Sequence, residues 1–74
     1  MNLREAVEGK EYLVKSIDVD GDDELEAFLF SLGCYSGEPI TVVSQRRSGA
    51  VVSIKDGRYN LDRDLLEAIS IEEK

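Results

Sequence analysis

The chain has no histidine and no tryptophan, and only one cysteine, one proline and one methionine among its 74 residues. Without histidine, a Ser-His-Asp or Cys-His catalytic arrangement cannot form, and zinc loses its commonest nitrogen ligand. A lone Cys34 makes no internal disulfide, which fits a reducing compartment. No apolar run approaches the roughly 20 residues that span a bilayer. Met1 to Gly9, with Glu5 and Glu8, lacks the basic and then apolar order of a secretory signal, so the expected address is the cytoplasm. Positive charge is also scarce: nine Lys and Arg face sixteen Asp and Glu, a net charge of -7. That balance opposes general binding to nucleic acid or to an anionic membrane.

What remains is the composition of a folded protein, 42% hydrophobic and 34% charged, with a length suited to one domain over residues 1–74. A domain this small buries only about 60% of the surface its unfolded chain exposes, so the core must be thin. The acidic excess is local. Residues 1–37 carry three basic and nine acidic side chains, and residues 38–74 carry six and seven.

Leu3, Ala6 and Val7 have helical spacing and are closed by Gly9, which predicts one turn laid on the core. Glu11 to Asp18 reads as a strand covered on both sides, with Leu13 and Ile17 on one and Tyr12 and Val14 on the other. After a polar crossing, Leu25, Phe28, Leu29 and Leu32 recur at i, i+3, i+4 and i+7, predicting the main helix over residues 23–32. Asp22 or Asp23 suits its N-cap, Glu24 and Glu26 suit the positive end of its dipole, and Gly33 suits a left-handed C-terminal stop. Ile40 to Ser44 and Ala50 to Ile54 read as strands around a polar turn from Gln45 to Gly49. Asp56-Gly57 predicts a two-residue hairpin loop with Lys55 and Arg58 in the flanking strands. Asp62 to Ala68 is a short helical segment, and Ile69 with Ile71 a last strand.

Five short strands with one main helix and helical turns near both ends imply a mostly β protein. The expected architecture is a small SH3-like barrel, since closure removes most of the exposed strand edges. Its expected core is Val14, Ile17, Ile40, Val42, Val52, Ile54, Leu61 and Ile71, with the helix plugging one side or end. An open sheet with the helix across one face is the alternative.

The ordered set Leu3 with Gly9, Val14 with Ile17, Leu32-Gly33, Gly37, Ile40 with Val42, Gly57, Leu61, Ala68-Ile69 and Ile71 resembles the FeoA family across nearly the whole chain. That resemblance implies an SH3-like domain, not an enzyme, without a cofactor. It implies an accessory or regulator of ferrous-iron uptake, whose partner is the FeoB-type membrane transporter, with the transporter's GTPase domain as one candidate contact. Contact with the membrane would then come only through that partner. The same barrel also occurs in metal-dependent repressors, so fold alone does not choose the role. The alternative function is a peptide- or protein-binding module unrelated to iron.

Three features invite a chemical reading. Asp18, Asp20, Asp22, Asp23, Glu24 and Glu26 begin like a calcium loop, but Asp23 stands where the turn glycine belongs and Leu29 where the bidentate glutamate belongs, which excludes an EF-hand. A solvated loop and helix cap is the plainer reading, and no metal site is assigned. Cys34 could ligate ferrous iron, yet a single thiol more often acts as a small buried hydrophobe. The third feature is a partner-binding surface of Leu29, Phe30, Leu32, Cys34 and Tyr35 around the helix end, joined to Arg46 and Arg47 on a loop tip. Phe30 motivates it, because it falls off the apolar stripe of its helix. The plainer alternative makes Phe30 a second core residue.

Overall fold

The computed structural model describes residues Met1–Lys74. Alternating apolar and polar residues build five strands: β1 (Glu11–Ile17), β2 (Pro39–Arg46), β3 (Gly49–Ile54), β4 (Gly57–Asp62) and β5 (Ile69–Glu73). All pairings are antiparallel, in the order β4-β3-β2-β1-β5. Helix α1 (Asp23–Ser31) interrupts the path from β1 to β2, and α2 (Arg63–Ala68) joins β4 to β5. A 3-10 turn, Leu3–Glu5, precedes β1; the Asn2 side chain accepts from the Arg4 N–H at 2.9 Å and the Glu5 carboxylate from the Asn2 N–H at 2.9 Å.

Geometry requires the sheet to curl. In a flat sheet of five strands the edges lie about 19 Å apart, whereas a six-residue helix rises only about 9 Å. Since α2 links β4 directly to β5, those two edges bend toward each other, as in an SH3-like barrel. One continuous core follows. It contains Tyr12 and Val14 of β1, Ile40 and Val42 of β2, Ala50, Val52 and Ile54 of β3, Leu61 of β4, and Ile69 and Ile71 of β5. Leu3, Ala6, Leu29, Cys34 and Leu66 close it from the connecting segments. Val7, expected beside Leu3, is instead exposed, because the chain leaves the 3-10 turn in an extended conformation at Ala6.

A β-bulge decides the inward face of β1. Val14 lies opposite Ile71, Ser16 opposite Ser70 and Ile17 opposite Ile69. Three positions separate Val14 from Ile17, an interval that sends side chains to opposite faces of a regular strand. The extra residue restores the parity, so Ile17 packs half-buried against the same core as Val14. A second bulge lies between Val42 and Ser44 of β2. The other seven expected core residues are buried as anticipated.

One turn is tighter than the sequence suggested, and the other is shifted by one residue. Arg46 pairs with Gly49, leaving only Arg47-Ser48 in the first loop, so Arg46 ends β2 rather than sitting at the tip. Ile54 pairs with Gly57, so the second loop is Lys55-Asp56, with Lys55 at φ 52°. Gly57 is the first residue of β4. Its missing Cβ matters sterically, since one placed there would lie 2.2 Å from the Tyr59 hydroxyl.

The main helix ends one residue before its expected limit, at Ser31, with Leu32 as its C-cap. The Asp22 carboxylate accepts from the Leu25 N–H at 3.0 Å and starts it. Only Leu29 of the apolar stripe is fully buried; Leu25 and Leu32 are half-buried and Phe28 is 44% exposed. The helix therefore closes the core through Leu29, while most of its stripe stays at the surface.

Candidate functional site

The C-terminal end of α1 closes through backbone hydrogen bonds. Gly33, at φ 91°, donates to the Phe30 carbonyl at 2.9 Å, and Cys34 donates to the Leu29 carbonyl at 3.0 Å. These are the two bonds of a Schellman motif, with Leu29 and Cys34 as its apolar pair. Both side chains are fully buried, which removes them from the expected contact surface. Burial also pushes the Cys34 thiol up to about 11, so it stays protonated at neutral pH.

The same closure throws the neighbouring aromatics outward. Phe30 is 51% exposed and Tyr35 37% exposed, and their rings meet edge to face with centroids 5.6 Å apart. Phe30 is thus not a core residue. With half-buried Leu32, these rings form one wall of an open groove of about 480 Å³, faced by Lys55, Asp56, Gly57 and Tyr59 of the β3–β4 hairpin. The Lys55 stem packs over Gly33, where a Cβ would come within 2.8 Å of it. Its ammonium pairs with Glu38 and lies 5.4 Å from the centre of the Tyr35 ring. The hydrogen bond to Glu38 is the main reason its pKa rises above the usual lysine value.

Arg46 and Arg47 do not join this surface. The helix end meets β3 at the Ile54–Lys55 end, whereas Arg46 pairs with Gly49 at the other end of that strand. Five residues of extended chain put roughly 17 Å between them. The expected patch therefore divides: Phe30, Leu32 and Tyr35 remain together, Leu29 and Cys34 lie beneath them, and the arginines stand at the opposite pole beside Arg63. Lys55, Asp56, Gly57 and Tyr59 were not legible as site residues, since they reach the groove only through the β3–β4 pairing. The Asp56-Gly57 turn signal marked the hairpin without revealing that α1 lies against it.

The acidic run serves its own backbone. Asp18 accepts from the Asp20 N–H at 3.2 Å, and Asp22 caps α1. No three His, Cys, Asp or Glu side chains converge as metal ligands. No helix is long and apolar enough to cross a membrane.

The FeoA domain model matches residues 1–73. The chain belongs to the FeoA family. Its fold is similar to that of Stenotrophomonas maltophilia FeoA complexed with zinc, with a TM-score of 0.85 at 21% identity, over 97% of this chain and 89% of that one. That protein is described as a prokaryotic SH3 domain protein and a candidate ferrous iron transport activating factor. Iron(II) transport protein A from Clostridium thermocellum matches at 25% identity and a TM-score of 0.86, over 99% of this chain and 45% of that one. A manganese-dependent transcriptional repressor shares the fold at a TM-score of 0.88 and 20% identity, and this chain spans 41% of its length. No curated protein matches in sequence. The FeoA family is associated with ferrous-iron transport in an accessory capacity.

Proposed function

We propose that this FeoA domain is a non-enzymatic accessory of ferrous-iron uptake that docks from the cytoplasm on an FeoB-type transporter through the groove beside α1. The observation that carries the reading is the exposed Phe30–Tyr35 pair, held edge to face beside Leu32 and across the groove from Tyr59. Aromatic side chains left in water on a rigid helix end are the usual anchors of protein contacts. Lys55, Glu38 and Asp56 supply a polar rim around them.

Family membership supports the iron-transport setting, and the chemistry of the chain suits recognition rather than catalysis. Its only thiol is buried and protonated. The FeoB-type transporter of the same cell, purified in detergent, should retain the wild-type protein in a pull-down and lose the Phe30→Ala, Tyr35→Ala double variant at unchanged fold. Equal retention of both proteins would reject the groove, and failure to retain either would reject the transporter as partner.

A further inference from the structure

Strand β4 has β3 as its only strand neighbour. Counting from the two-residue loop, the hydrogen-bonded pairs of this hairpin are Ile54–Gly57, Val52–Tyr59 and Ala50–Leu61. The N–H and C=O groups of Arg58 and Asn60, and the N–H of Asp62, therefore point away from β3 along a free edge. No loop or cap backbone bond reaches Arg58 or Asn60. The side chains of Arg58, Asn60 and Asp62 are all exposed.

The order of those three residues is self-complementary. We propose that two copies of this chain associate by antiparallel pairing of their β4 edges about a two-fold axis at Asn60. Asn60 then faces the partner's Asn60, and each Arg58 faces the partner's Asp62. The two asparagines exchange both backbone bonds, and each Asp62 N–H donates to the partner's Arg58 carbonyl. The Asp62 carbonyl, as N-cap of α2, is committed to its own helix. Opposite charges placed directly across an antiparallel pair attract, whereas like charges there repel. Centring the two-fold on Arg58 would set arginine against arginine, and centring it on Asp62 would set aspartate against aspartate. Only the Asn60 register satisfies both charges. Leu65, half-buried in the same depression as Asn60 and Asp62, lies beside this edge.

A six-residue edge is only about 20 Å long, so the interface is small and the dimer forms in a concentration-dependent way. It uses the outer edge of the strand whose Gly57 and Tyr59 also line the aromatic groove, but Phe30 lies on α1 and contributes nothing to that edge, so Phe30→Ala should leave the pairing intact. The register is tested by cysteine cross-linking. Hydrogen-bonded partners in an antiparallel pair have Cα atoms about 5.5 Å apart, within disulfide reach. Asn60→Cys should therefore give a disulfide dimer on mild oxidation. Arg58→Cys should not, because its two-fold mate sits four residues along, roughly 13 Å away. Cys34 is buried and does not compete. In sedimentation, the wild type should gain mass with concentration, and Asn60→Pro, which removes only an edge donor, should remain monomeric. Cross-linking at neither position or equally at both, or a wild type that is monomeric at every concentration, overturns the proposal.

Discussion

The Cys34 amide donates to the Leu29 carbonyl across 3.0 Å, and the residue that lets the chain turn back for this bond is Gly33, at φ 91°. An L-residue in that conformation costs about 1–2 kcal/mol, and a new Cβ would also press on the Lys55 stem at 2.8 Å. Gly33→Ala should lower stability by about that amount, read as a shift in urea midpoint at constant slope. An unchanged midpoint would mean that α1 ends without the left-handed turn.

Adjacent residues of α1 should respond oppositely to truncation. Leu29 is fully buried, so Leu29→Ala should cost about 2–5 kcal/mol, enough to unfold much of so small a domain. Phe30 is half in water, and Phe30→Ala should move the melting temperature little while abolishing partner retention. A large stability loss at Phe30 would return it to the core and remove the anchor from the groove.

Stability should fall at high pH through Cys34. The unfolded thiol ionises near pH 9 and the folded one at about 11. Between those values the unfolded chain has released a proton that the native protein retains, so each rise in pH favours unfolding. The contribution is whole below pH 9 and lost above 11, a change of up to roughly 2.5 kcal/mol. Cys34→Ala lacks it, so chemical denaturation of both proteins at pH 8 and 10.5 should show the steeper decline in the wild type. Parallel declines would contradict burial of the thiol. For the same reason, thiol reagents should modify the native protein at neutral pH only as it unfolds.

The two helix caps should be worth similar amounts. Asp22 accepts from Leu25 N–H at 3.0 Å and Asp62 from Leu65 N–H at 2.9 Å. Each change to Ala should cost about 1 kcal/mol, and Asn should preserve most of it, as thermal denaturation can show. Equal losses for Ala and Asn at Asp22 would assign that carboxylate a role other than capping.

Much of the fold was legible because strand and helix periodicities are local properties of the chain. The i, i+3, i+4, i+7 stripe located α1, Gly33 marked its end, and the alternating runs from Ile40 and Ala50 located β2 and β3. Less legible were features set by pairing. The inward turn of Ile17 depends on an extra residue in β1 that only β5 reveals. The one-residue offset of the Asp56-Gly57 loop shows only in the pairing of Ile54 with Gly57. Of the expected contact surface, the exposure of Phe30 was legible from its departure from the stripe, but its pairing with Tyr35 and their separation from Arg46 and Arg47 were not.

By itself, the sequence determined that this protein has one thin core of short strands, a capped helix with a glycine stop, and no histidine chemistry, because composition, spacing and capping act over a few residues. Tertiary structure alone decided that Phe30 and Tyr35 meet in one patch far from Arg46 and Arg47, and that the β3–β4 hairpin supplies the facing wall. Such placements depend on which strand edges meet across the barrel, and on side chains that compete for the same small interior.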